Sequence, residues 1–138
     1  MPINVQNLLI ISKDLLNRTP QTEDYFRSSS NRAYYCAIHA CSESAKSDLG
    51  LTPKNGMHNS FGHKELYNLF LNHKPSLVVP TRRDKDINTI GYLLKQTRDL
   101  RVHADYKSKS FSSNDAQDAI NHADEIYQRS LKMLAFLN

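Results

Sequence analysis

The sequence predicts an all-α protein, an antiparallel bundle of four to five helices in one domain spanning residues 1–138. Apolar residues recur at spacings of three and four along most of the chain, the period of a helix that buries one face. Chain breakers are sparse, 4 Gly and 5 Pro, which argues against a β-rich or disordered chain. A chain of 138 residues is also long enough to bury a real core.

Val5, Leu8, Leu9, Ser12, Leu15 and Leu16 lie on one stripe and predict a first helix from about Asn4 to Asn17. Thr19-Pro20 then reads as a stop and restart, with Thr as cap and Pro in the first helical position. The second helix is expected from about Gln21 to Asp48, closed by Gly50 in a left-handed position. Its inner stripe is Tyr25/Phe26, Ser29, Ala33, Cys36/Ala37, Ala40 and Ser44, small enough to let another helix come close. Residues 51–60 carry Pro53, Asn55 and Gly56 and read as a loop. Asn59 or Ser60 is then placed to cap a short third helix that turns Phe61, Leu66, Leu69 and Phe70 inward.

Pro75 and Pro80 bracket an extended connector. The fourth helix, from about Arg82 to His103, uses Ile87, Ile90, Leu93/Leu94, Thr97 and Leu100, with Gly91 as a tolerated weak point. Residues 107–113 read as a loop, after which Ser112, Ser113 or Asn114 caps the last helix. That helix has the stripe Ala116, Ala119/Ile120, Ala123, Ile126/Tyr127, Leu131, Leu134 and Leu137.

Several classes of function are disfavoured. No apolar run approaches the roughly 18 residues of a membrane span. The N-terminus, MPINVQNLLIISKDLLN, lacks a leading basic region and a small-residue cleavage site, so the expectation is a cytoplasmic protein. Cys36 and Cys41 stand about 140° apart on one helix, which predicts reduced core or interface thiols rather than a disulfide. His58 and His63 have no Cys, Asp or Glu at ligand spacing, and neither metal nor cofactor is expected. Gly-rich phosphate loops and Gly-x-Ser-x-Gly turns are absent from the sequence.

The densest chemistry is in Leu93–Tyr106, LLKQTRDLRVHADY. From Lys95 to Lys109, five Lys or Arg face two Asp, so this neighbourhood carries most of the net charge of +4 and points to a phosphate-bearing partner. A solvated helix end accounts for Arg101 and Lys107 but not for the aromatic and the two Asp. Arg98 and His103 are a sufficient pair for metal-free phosphodiester chemistry. His moves a proton near neutral pH, while Arg clamps a phosphate and stabilises charge developing on phosphorus. Because the internal nucleophile is a ribose 2′-hydroxyl, the substrate class is RNA.

Two stretches resemble the HEPN domain family. Ser30-Asn31-Arg32-Ala33-Tyr34-Tyr35-Cys36-Ala37 is similar to the Ser-Arg-Ala-Tyr-Tyr-Ala signature of a bacterial and archaeal subgroup, with Asn31 inserted between Ser and Arg. Arg101-Val102-His103-Ala104-Asp105-Tyr106 is similar to that subgroup's Arg-x-x-Ala-Asp-Tyr. Overlapping it, Arg98 to His103 matches the nuclease motif of active members, an Arg, then four to six residues, then His, with Asp99 as the polar residue after the Arg. Arg32 and His39 satisfy the same loose spacing and read as a helix-packing Arg and a satisfied interface His.

The resemblance implies a homodimeric HEPN-like bundle whose motifs face each other across a cleft. It implies an endoribonuclease of a toxin–antitoxin or phage-defence system, with a small nucleotidyltransferase as a possible antitoxin partner. Arg98 and His103 would be catalytic, Asp99 and Tyr106 supporting, and Arg101, Lys107 and Lys109 RNA-binding. The alternative is a non-catalytic nucleotide- or partner-binding module that works with a nucleotidyltransferase. Five residues of regular helix rotate Arg98 and His103 about 140° apart. Either the helix loosens before His103 or the two residues meet from different chains, with Ser29, Ala33, Ala37 and Ala40 as one candidate packing surface, the alternative for that stripe being the bundle interior.

Overall fold

Five helices, with no strand among the described residues, carry the fold: α1 Val5–Leu16, α2 Glu23–Ser47, α3 His63–Leu71, α4 Arg82–Tyr106 and α5 Ser113–Leu137. The computed structural model describes residues 4–18, 20–47, 49–51, 61–106 and 110–137, without the side chains of Tyr106 and 133–137.

Local chemistry fixes most of the helix ends. Asn4 caps α1 by accepting the Asn7 N–H at 3.1 Å. Thr81 and Asp84 close a reciprocal box at the start of α4, and Ser112 and Asp115 do the same for α5, each side chain accepting the other residue's N–H at 2.9–3.1 Å. At α3 the Glu65 carboxylate accepts the Gly62 N–H at 3.3 Å. Past α2, Gly50 takes a φ of +63°, and the Leu51 N–H reaches back to the Ala45 carbonyl at 2.9 Å, a Schellman-type end.

The second helix is the hub and packs against each of the other four. Its small stripe is turned wholly inward, with Ser29, Ala33, Cys36, Ala37 and Cys41 inaccessible to solvent. A reciprocal buried pair joins it to α1: Ser12 Oγ donates to the Ser29 carbonyl at 2.6 Å and Ser29 Oγ to the Ser12 carbonyl at 2.7 Å. Each hydroxyl thereby satisfies its donor where an unpaired one would cost about 1–3 kcal/mol. Pair contacts also give the directions. Arg129 near the end of α5 pairs with Asp86 near the start of α4, and Phe111 just before α5 meets His103 near the end of α4, so these helices run antiparallel. Asn31 with Asp105 and Tyr34 with Arg101 make α2 and α4 antiparallel as well.

Four expectations need correction. Pro20 stands ahead of α2, which begins at Glu23 with the Thr22 hydroxyl accepting the Tyr25 N–H at 3.4 Å. A capping Thr followed by two acidic residues suits the positive end of a helix better than Pro20 does; Thr19 lies outside the described residues. The connector bracketed by Pro75 and Pro80 bends at each of Ser76–Val79 instead of running extended. The fourth helix continues to Tyr106, because tertiary contacts described below hold its last turn.

Gly91 is a close-approach point rather than a tolerated weakness. A Cβ there would sit 2.6 Å from the Leu71 nitrogen and 2.8 Å from Phe70 Cβ. The end of α3 is further tied to α4 by the Asn88 amide, which donates to the carbonyls of Phe70, Leu71 and His73. The Asn59 and Ser60 caps expected for α3, like the loop at 52–60, lie outside the described residues.

Candidate functional site

The last three turns of α4 hold the residues singled out by the sequence, and each goes to a different neighbour. Arg101 is committed within the chain: its Nε lies 3.0 Å from Asp105 Oδ2, and its guanidinium sits over the Tyr34 ring, 5.4 Å from the centroid. Asp105 also accepts the Asn31 amide at 3.3 and 3.4 Å. The stretches 30–37 and 101–106, some seventy residues apart in sequence, therefore lie against each other. Arg98 is less engaged, with its side chain 40 % exposed, Asp99 3.8 Å away and the Tyr67 ring centroid at 5.9 Å. That exposure leaves it the more available of the two to an incoming phosphate.

His103 is half-buried and meets the Phe111 ring edge-on at 5.4 Å. Its Nε2 is buried with no hydrogen-bond partner among the described residues. A clamp from α2 fixes the surrounding backbone. Arg27 Nη1 donates to the carbonyls of His103 and Ala104, two acceptors that the end of a helix otherwise leaves open. The same guanidinium pairs with Glu23 at 2.9 Å and lies 5.7 Å from the Phe111 ring centroid. Glu23 in turn accepts the Phe111 N–H, and that bond, then the Arg27 pair, holds its carboxyl below the usual carboxylate range. These contacts also explain the helix to Tyr106, since a capped last turn outlasts what local propensity predicts.

One chain does not bring Arg98 and His103 together. Arg98 leans toward α3, while His103 packs toward the segment before α5. The helix stays regular through both, which removes the idea that it loosens before His103. The small stripe of α2 is interior, so it is not a packing surface for a second chain. Asp99 is exposed beside Arg98. Lys107 and Lys109 lie outside the described residues, as does the side chain of Tyr106 at the end of α4.

Sequence reasoning missed the residues that organise this region. Glu23, Arg27 and Phe111 carry no motif, although Glu23 and Arg27 have the i,i+4 spacing of a helical ion pair. Arg27, Ser28, Asn31, Arg32 and Asp105 also line an open polar recess of about 240 Å³ beside the end of α4. His63 stands out in the sequence only as a possible metal ligand, yet it packs edge-on against Tyr34 at 5.3 Å, one turn from Tyr67. No group of three or more His, Cys, Asp or Glu is placed to hold a metal among the described residues. Within the same set, no helix is long and apolar enough to cross a membrane. Comparison with known protein families, with curated proteins and with solved structures found no match.

Proposed function

We propose that this protein is a metal-independent endoribonuclease of HEPN type, acting as a homodimer in the cytoplasm as part of a toxin–antitoxin or phage-defence system. The observation that carries the reading is the juxtaposition of the two stretches behind the resemblance: Asn31 meets Asp105 and Tyr34 meets Arg101. Two fragments of one signature are expected to touch if they define one site. Arg98 then clamps the scissile phosphate and His103 moves the proton. A two-fold axis supplies the convergence that a single straight helix denies them. His103 Nε2 is buried, so proton transfer falls to Nδ1 or follows a turn of the ring. Arg101 adds its charge to the RNA-binding side of α4 and also holds Asp105 and the Tyr34 ring in place.

The test is RNA cleavage by the purified protein with Arg98→Ala and His103→Ala beside it. Both variants should lose cleavage while keeping wild-type helicity, and His103→Ala should cost less than about 1 kcal/mol of stability because its ring is only half-buried. A second reading, a nucleotide- or partner-binding module that works with a nucleotidyltransferase, is favoured by the divergence of Arg98 and His103 within the chain. RNA or nucleotide binding without cleavage, unaffected by His103→Ala, selects that reading.

A further inference from the structure

Arg98 and Arg101 share a neighbourhood that no nuclease motif describes. His63 and Tyr67, one turn apart on α3, face Arg98 and Arg101, one turn apart on α4, with Tyr34 of α2 beneath. The Tyr34 ring is the common floor, with the His63 ring edge-on at 5.3 Å and the Arg101 guanidinium at 5.4 Å. Tyr34 is fully buried, and its hydroxyl has no hydrogen-bond partner among the described residues, so the cluster holds a polar group the chain does not satisfy. Burial pushes that phenol up to about 12 against the opposing pull of Arg101 and Arg98.

Charge around His63 is one-sided. Burial first, then Arg101, Arg98 and the nearby His39 of α2, holds its imidazole below the ordinary His range. On its own helix, Glu65 is turned to the Gly62 N–H, and Lys64 is exposed. Asp105 answers Arg101, whereas the carboxylate nearest Arg98 among the described residues is Asp99 at 3.8 Å. Like charges gathered over aromatic rings leave an unfavourable field that a bound anion relieves.

We propose that Arg98, Arg101 and protonated His63 form an anion site within one chain, floored by Tyr34, that takes a phosphate of an RNA strand. The proposal extends the reading above, because it says where the strand's phosphate rests on the Arg98 side of α4. Binding and protonation are linked: the anion favours the imidazolium, so its arrival raises the His63 pKa, and affinity falls as pH rises through that titration.

The experiment follows the His63 imidazole by NMR, assigned with His63→Gln, as a 2′-O-methyl RNA oligonucleotide is added. That strand keeps a constant charge and cannot be cut through a 2′-hydroxyl. The His63 pKa should rise on saturation, and affinity should fall about tenfold from about pH 5 to about pH 8, a dependence lost in His63→Gln. Arg98→Gln, at an exposed position, should weaken binding about tenfold without unfolding the protein. Sulfate serves as the free-anion arm: if it moves His63 while the oligonucleotide does not bind, the assignment to an RNA strand is overturned. A His63 that responds to neither probe overturns the site itself. Because the strand cannot be cut, the two readings fail separately. An unresponsive His63 in a protein that cleaves RNA refutes only this site, and a responsive one in a protein that cleaves nothing refutes only the nuclease.

Discussion

Gly91→Ala puts the packing of α3 on α4 to a test in which two effects compete. Taken alone, α4 should gain about 1 kcal/mol, since Ala is the better helix former. Tertiary structure reverses the sign. The new Cβ would lie 2.6 Å from the Leu71 nitrogen and 2.9 Å from the Phe70 carbonyl carbon, where ordinary contact begins at 3.4 Å. Two of the three nearest atoms are backbone, so no side-chain rotation relieves the overlap and α3 must lift off α4. Overpacking of this kind costs about 1–3 kcal/mol, and the backbone clash places it at the upper end. A net loss of about 1–2 kcal/mol remains after the gain in propensity. With a urea dependence of about 2 kcal/mol per molar, the unfolding midpoint should drop by roughly 0.5–1 M at unchanged slope. Because α3 carries His63 and Tyr67, the His63 ring resonances should move as well. A midpoint equal to or above that of the wild type would refute the close approach.

Arg27→Met should cost about 2 kcal/mol, because it uncovers the His103 and Ala104 carbonyls at the end of α4; hydrogen exchange should speed up over residues 102–106, and a variant within about 0.5 kcal/mol of wild type would remove the clamp from the account. Asp84 bonds His73 at 2.8 Å and also accepts from Thr81, which lowers its pKa from 3.8 to about 2. A depressed carboxylate contributes stability above its unfolded pKa and loses it as pH falls toward the folded value. Asp84→Asn should therefore destabilise the protein at neutral pH and flatten the acid limb between about pH 4 and about pH 2; an unchanged acid profile would contradict the linkage. RNA cleavage should persist in EDTA, and loss on chelation with recovery in one divalent ion would replace the Arg and His mechanism with a metal-dependent one.

The fold was legible where side-chain period alone decides burial. The stripes of α1, α2, α4 and the first half of α5 are the residues found inside, down to Ser12 and Thr97, polar side chains that bond to backbone carbonyls. Helix ends were legible only where the cap is local. Asn4, Ser112 and Gly50 act within a few residues of themselves, whereas the end of α4 is set by Arg27 from 76 residues away. Gly91 escaped for the same reason, since a helix approaching from outside leaves no trace in the period of the helix it touches. At the site, the rotation of Arg98 from His103 could be read from helix geometry, but the partners each would find could not. Phe111 and Tyr67 reach the C-terminal part of α4, and His63 the Tyr34 ring beside it, through tertiary packing, and no spacing encodes that.

The claim that one site is shared between two chains is tested most directly by mixing inactive variants. Arg98→Ala and His103→Ala protomers, unfolded together and refolded in equal amounts, form mixed dimers in about half of the population. If Arg98 of one chain works with His103 of the other, each mixed dimer keeps one intact site, and RNA cleavage returns to about a quarter of the wild-type rate. If the two residues act within one chain, or if the protein does not cleave RNA, the mixture stays as inactive as either variant alone, and the account is contradicted.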